Sequence, residues 1–204
     1  TEGSFRNSGQ RCTAVKRILV EEPVLDEFTD RFVANAAEFT VGDPADEATR
    51  IGTVIDEPAA IVLEERVAKA VAAGAEVLLG GNRNGAQLEP TIIANVPRDA
   101  EMVCEESFGP LAPIMPVRDL DDAIALANAS DFGLSSGVVT NDMAAAIRVV
   151  KELKTGAVNV NQVPGFRMES SPFGGVKDSG LGIKEGVIEA MKFMTTTKTF
   201  SLPW

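Results

Sequence analysis

Short apolar runs alternate along most of the chain with amphipathic helical segments, and this alternation constrains the fold more than any other feature. The run "KRILVEE" at residues 16–22 is typical of a buried strand, and apolar side chains recur at helical spacing over residues 25–39 behind a proline. The same alternation of strand and helix patterns continues as far as "GAVNVN" at residues 156–161. Strands separated by helices favour parallel pairing. We therefore expect an α/β fold, a parallel sheet with helices on both faces.

Charge and composition exclude several classes of function. The chain of 204 residues has a formal net charge of −11 and no concentrated basic segment, which argues against a nucleic-acid partner. No apolar run reaches 18 residues, so we expect no membrane partner. Without histidine the chain supplies no Cys/His or Ser/His/Asp centre. Its two cysteines match neither a disulfide framework nor a zinc motif, so we expect no metal and a reducing, cytoplasmic location.

One cysteine has the surroundings of a nucleophile. Cys12 lies in "NSGQRCTAVK" among polar and small residues, and the neighbouring Arg11 is placed to help stabilise a thiolate. A small buried hydrophobe is the alternative interpretation of Cys12. Cys104, in "MVCEE", matches no catalytic pattern, and we expect it to be a buried core residue.

Five motifs carry a resemblance to a known family. In chain order they are "GQRC" (9–12), "VGDP" (41–44), "EESFGP" (105–110), "VNVN" (158–161) and "SPFGGVKDSGLG" (171–182). Together they resemble the second half of an NAD(P)-dependent aldehyde dehydrogenase. The resemblance implies a catalytic, cysteine-bearing domain over residues 1–194 and an oligomerisation arm over 195–204, where Phe200 and Leu202 alternate with polar residues as in a strand.

The resemblance also implies the roles of individual residues. Cys12 matches the nucleophile that attacks the aldehyde carbon, and its own backbone N–H matches an oxyanion donor. Glu106 matches the carboxylate that accepts hydrogen bonds from the nicotinamide ribose, and Phe108 matches the aromatic residue beside the nicotinamide of NAD or NADP. We expect the "SPFGG" segment, including Lys177, to support the cofactor and substrate loops. Glycine and proline at the end of "EESFGP" shape a turn.

The family's cofactor-binding domain, general-base glutamate and side-chain oxyanion donor precede the nucleophile and are therefore expected outside this sequence. We accordingly expect a fragment that is inactive alone, and a homodimer or homotetramer for the full-length protein. Where many members have Arg-Glu after "SGxG", this chain has Ile183 and Lys184, so no proton-relay role transfers there.

The substrate is suggested by two arginines. In this family the residues beside the nucleophile and the loop before "SPFGG" select the aldehyde, and here they include Arg11, Phe166 and Arg167. A guanidinium group offers paired donors to phosphonate, sulfonate or carboxylate oxygens. We therefore expect a small anionic aldehyde, and the C-terminal segment resembles the phosphonoacetaldehyde dehydrogenase subgroup. The alternative for Arg167 is a surface ion pair with Glu169 or another acid.

Two other functions stay open at this point. One is a CoA-acylating semialdehyde dehydrogenase, in which the thioester passes to CoA instead of water. The other is a structural homologue without catalytic activity, which has little reason to retain Cys12, Glu106 and Phe108 together.

Overall fold

The computed structural model describes residues 1–183 and 185–203. Lys184, discussed above for the position after "SGxG", and Trp204, at the end of the expected arm, lie outside the described residues. The helices are α1 (Glu2–Phe5), α2 (Leu25–Ala36), α3 (Glu57–Ala72), α4 (Glu101–Cys104), α5 (Leu120–Asn128), α6 (Met143–Glu152) and α7 (Val187–Met194). The strands are β1 (Ile18–Glu21), β2 (Glu76–Leu79), β3 (Arg83–Asn84), β4 (Gln87–Leu88), β5 (Thr91–Ala94), β6 (Leu111–Val117), β7 (Phe132–Gly133), β8 (Ser135–Val138), β9 (Ala157–Val160) and β10 (Val176–Lys177).

A four-stranded sheet in the order β1-β6-β5-β2 forms the centre of the fold. Strand β6 pairs in parallel with both β1 and β5, as expected from the sequence. Strand β2 instead runs antiparallel to β5, so the expectation of a parallel sheet is wrong for this edge. In the chain, β2 and β5 are separated only by the hairpin β3–β4. A parallel pair would need a crossover connection of about a dozen residues or more, usually with a helix. The sheet is therefore mixed.

Helices cover both faces of this sheet, which confirms the expected α/β arrangement. Alternate residues of β6 point to opposite faces. Ile114 belongs to a cluster with Phe5 of α1 and Phe32 of α2, whereas Met115 belongs to a second cluster with Leu63 of α3. Each face thus has a closed apolar core.

The buried carboxylate of Asp122 links α5 to the segment after β5. Its two oxygens each accept a hydrogen bond of 2.9 Å from Arg98, and the backbone N–H of Arg118 donates to it at 3.2 Å. The hydrogen bonds from Arg98 hold the pKa of Asp122 far below its usual range, and the Arg118 backbone contributes in the same direction. Folding therefore favours the ionised form of Asp122.

Two separate two-stranded sheets, β8–β9 and β7–β10, lie in the C-terminal part of the chain. Strands β8 and β9 are parallel and are connected through α6, whose N-terminal N–H groups are capped by Asp142. The short strand β10 pairs with β7. Residues 195–203 form no strand with the described part of the chain, and the side chains of Phe200 and Leu202 are exposed. No helix in the described ranges has the length and apolar character needed to cross a membrane.

Candidate active site

Cys12 follows a tight turn in the segment that connects α1 to β1. Three consecutive residues there have positive φ: 57° at Asn7, 53° at Ser8 and 69° at Gly9. The side chains of Ser8 and Gln10 donate hydrogen bonds to the carbonyl oxygens of residues 52 and 53, at 3.4 and 3.2 Å. The thiol-bearing residue is exposed. The strained turn therefore places Cys12 at the surface, and the hydrogen bonds of Ser8 and Gln10 hold the residues just before it in position.

A glycine contact brings this turn against the "EESFGP" motif. A Cβ atom on Gly9 would lie 2.6 Å from the carbonyl carbon of Gly109 and 3.1 Å from the nitrogen of Pro110. Only a residue without a side chain permits so close an approach. The two motifs, far apart in the sequence, are therefore in direct backbone contact at Gly9 and Gly109.

The "EESFGP" loop is held from α3. Arg66, whose side chain is only 12% exposed, donates from Nη1 to the backbone oxygen of Glu106 at 2.9 Å and to Oγ of Ser107 at 3.2 Å. Phe108 has a φ of 51°, unusual for an aromatic residue, and its ring is substantially exposed. The loop therefore presents the Glu106 carboxylate and the Phe108 ring to solvent from a fixed backbone.

Lys16 connects the cysteine to this loop and was not identified from the sequence. Its Nζ lies 2.9 Å from Oε1 of Glu106, and it donates to the backbone oxygens of Cys12 at 3.0 Å and Arg11 at 3.1 Å. The same ammonium lies 5.7 Å from the centre of the Phe108 ring. A lysine four residues after a cysteine has no distinctive pattern, so only the three-dimensional arrangement indicates its importance.

The loop before "SPFGG" also reaches the cysteine segment. A Cβ atom on Gly165 would lie 2.9 Å from Oγ1 of Thr13, the residue after Cys12. Asn159, in the "VNVN" motif, donates to the backbone oxygens of residues 163, 164 and 166 at 3.1 to 3.2 Å and so fixes the loop. Phe166, in this loop, is 52% exposed.

The two arginines expected to bind an anion differ in their surroundings. Arg167 forms an ion pair of 2.6 Å with Glu185, and its guanidinium lies 4.7 Å from the centre of the Phe173 ring. The ion-pair alternative for Arg167 is therefore the observed arrangement, with Glu185 as the partner rather than Glu169. Arg11 is half-buried, and within residues 1–183 and 185–203 its Nε finds no hydrogen-bond acceptor.

Two further residues considered in the sequence analysis are Cys104 and Lys177. Cys104 is exposed, so its assignment to the core is wrong. It is the last residue of the one-turn helix α4, which buries Met102 and Val103 and leaves Cys104 on the outer side. In the "SPFGG" segment, Lys177 donates to the backbone oxygens of Asn128 and Ser130, so this segment stabilises the C-terminal end of α5.

The chain belongs to the aldehyde dehydrogenase family, whose sequence pattern it matches over residues 1–200. It is 39% identical over 198 residues to a lactaldehyde dehydrogenase of Methanococcus maripaludis, an alignment that covers 97% of this chain and 42% of the relative. It is 38% identical over 195 residues to a sulfoacetaldehyde dehydrogenase of Neptuniibacter caesariensis, covering 96% and 42%. The chain thus spans less than half the length of these relatives.

The structure is also similar to solved members of the family. The crystal structure of the glyceraldehyde-3-phosphate dehydrogenase GapN from Methanocaldococcus jannaschii, complexed with NADP, superposes with a TM-score of 0.90 at 40% identity, covering 95% of this chain and 42% of that one. Other solved relatives were crystallised with NADP or NAD+. The fold expected from the sequence is thereby confirmed as that of an aldehyde dehydrogenase.

Proposed function

We propose that this chain is the catalytic domain of an NAD(P)-dependent aldehyde dehydrogenase that oxidises a small anionic aldehyde to the acid. The observation that carries the proposal is the meeting of three segments at one cysteine. The turn before Cys12 contacts the "EESFGP" loop through Gly9 and Gly109, and the loop that bears Phe166 contacts Thr13. A nucleophile, a cofactor-facing loop and a substrate-facing loop thus share one surface.

In the proposed reaction the Cys12 sulfur attacks the aldehyde carbon and forms a thiohemiacetal. The backbone N–H of Cys12 donates to the oxygen that becomes negative in this step. NAD(P)+, when bound, supplies the acceptor for the hydride that leaves the former aldehyde carbon. Cys12 then holds the product as a thioester, and water cleaves the carbon–sulfur bond to release the acid and the thiol.

The residues of the "EESFGP" loop fit the nicotinamide end of the cofactor. Glu106 presents an exposed carboxylate, and a carboxylate accepts readily from the two hydroxyls of a ribose. Phe108 presents an exposed ring of a size suited to contact with the nicotinamide. Both belong to a loop whose backbone Arg66 restrains, so they are positioned before any ligand binds.

We further propose that residues 1–194 form the catalytic domain and residues 195–204 the oligomerisation arm of a cytoplasmic homodimer or homotetramer. Support for the arm comes from the exposed apolar side chains of Phe200 and Leu202 and of helix α7 beside them. The cofactor-binding domain and the general base belong, on this proposal, to the part of the relatives that this chain does not match.

Arg11 is the better candidate of the two arginines for binding the substrate's anion. Its guanidinium forms no ion pair within residues 1–183 and 185–203, whereas that of Arg167 is paired with Glu185, so the accessible donors of Arg11 remain for a sulfonate, phosphonate or carboxylate. Arg167 contributes only when its ion pair with Glu185 opens. One relative is named for sulfoacetaldehyde, so the anionic substrates to be tested include sulfoacetaldehyde as well as phosphonoacetaldehyde.

The test uses the complete enzyme that carries this segment, assayed with NAD+ and NADP+ against sulfoacetaldehyde, phosphonoacetaldehyde, lactaldehyde and propanal. Arg11→Met is expected to lower kcat/KM for the two anionic aldehydes by about tenfold to a hundredfold, because a charge-assisted hydrogen bond is lost. The value for propanal should change by less than about twofold. Arg31→Met, on the exposed side of α2, is the matched control. Equal losses for propanal and the anions would contradict the anion assignment, and no oxidation of any aldehyde would contradict the function.

A further inference from the structure

Among the side chains in residues 1–183 and 185–203, that of Lys16 joins the Cys12 segment to the "EESFGP" loop. Its ammonium contacts the Glu106 carboxylate and the backbone oxygens of Cys12 and Arg11 within 3.1 Å. Three acceptors match the three donors of an ammonium group. The side chain of Lys16 is 26% exposed, and that of Glu106 is 39% exposed. Neither is fixed by burial alone, so their mutual contact determines where the carboxylate lies.

The geometry leaves Glu106 able to bind another group at the same time. Lys16 contacts Oε1, and an ionised carboxylate has about four acceptor sites in total. The second oxygen is therefore available for a ribose hydroxyl while the ion pair persists. An unrestrained glutamate would instead have to be ordered when the ligand binds, and ordering one such side chain costs about threefold to tenfold in affinity.

We propose that Lys16 is a positioning residue that acts through Glu106: it holds the carboxylate in place for the nicotinamide ribose and keeps it in register with the Cys12 backbone. The inference rests on the function proposed above, because it assigns Glu106 to the cofactor. On this proposal Lys16 acts through Glu106 and the Cys12 backbone and not by contact with substrate or cofactor. Its effect is to place the hydride acceptor and the nucleophile at a fixed separation.

The test is a double-mutant cycle in the complete enzyme with Lys16→Met, Glu106→Gln and the double variant. Binding of NAD+ and of NADP+ is measured by isothermal titration, and kcat and cofactor KM are measured separately. Lys16→Met should weaken cofactor binding by about threefold to tenfold and raise the cofactor KM, with a smaller effect on the aldehyde KM. In the Glu106→Gln background the same substitution should have little further effect, because residues that act as a unit are not additive.

Arg31→Met is the matched control, because Arg31 also forms an exposed ion pair, of 2.6 Å with Glu27 in α2. It should leave cofactor binding unchanged. Lys16→Arg should recover most of the affinity, since a guanidinium also donates to a carboxylate. If Lys16→Met does not fold, the cycle is run with Lys16→Gln, whose amide still donates to the backbone oxygens.

Additive losses in the cycle, or unchanged binding in Lys16→Met, would overturn the proposal for Lys16. Those results differ from failure of the proposed function, in which the unmodified enzyme neither binds the cofactor nor oxidises an aldehyde. An active unmodified enzyme with an additive cycle rejects the positioning role alone.

Discussion

Replacing Gly9 with alanine tests whether the contact between the two motifs maintains the structure of the site. The substitution places a methyl group at a φ of 69°, which costs about 1 to 2 kcal/mol for an L-residue, partly offset by the lower entropy of the unfolded chain. The methyl group also meets the backbone of Gly109, and forcing such a contact apart costs about 1 to 3 kcal/mol more. We expect a total loss of about 3 kcal/mol in the free energy of unfolding.

Gly85→Ala isolates the conformational part of this cost. Gly85 lies in the β3–β4 turn at a φ of 59°, and a Cβ atom there meets nothing within 4 Å. Its expected loss is therefore only about 1 kcal/mol. The free energy of unfolding falls by about 2 kcal/mol per M of urea. The urea midpoint should therefore fall by about 1.5 M for Gly9→Ala and about 0.5 M for Gly85→Ala. Equal shifts of the midpoint would refute the argument that the two motifs can pack together only because Gly9 has no side chain.

Two further variants test the supports of the fold and site. Because Asp122 has a lowered pKa, its ionisation stabilises the fold above about pH 4 and loses this effect as the pH falls toward the folded-state pKa. Asp122→Asn should therefore lower the thermal midpoint at pH 7, with the gap to the unmodified protein narrowing below about pH 4; a gap independent of pH would contradict this. Arg66→Met removes two hydrogen bonds to the "EESFGP" loop and the ion pair with Glu101, and it should cost about 2 kcal/mol or more in chemical unfolding; no loss would contradict the role of Arg66 in holding the loop.

The elements of the fold were predictable where local pattern and tertiary environment agree. The strand expected in "KRILVEE" is Ile18–Glu21, and the helical spacing over residues 25–39 corresponds to α2, which ends at Ala36. The direction of β2 was not predictable, because the apolar pattern of a strand is the same in either direction. Only the short hairpin that follows it determines the antiparallel pairing.

The candidate site was predictable in part for a related reason. Motifs indicate Cys12 and Glu106 as candidate residues, but the lysine that joins them has no motif of its own, since its partners are brought together only by folding. The pairing of Arg167 with Glu185, 18 residues away, is likewise a consequence of the loop's path rather than of helical or strand spacing. Cys104 was misassigned because a one-turn helix is too short for its buried face to appear as a periodic pattern.

The central claim is that Cys12 is the nucleophile, and the most direct test is the turnover of Cys12→Ser beside Cys104→Ser in the complete enzyme. At saturating aldehyde and cofactor, Cys12→Ser should lose about a thousandfold or more in kcat, because a serine hydroxyl ionises far less readily than a cysteine thiol and is a much weaker nucleophile. Cys104→Ser, which changes the other exposed cysteine, should stay within about twofold of the unmodified enzyme. Substantial turnover by Cys12→Ser, or a comparable loss in both variants, would contradict the assignment.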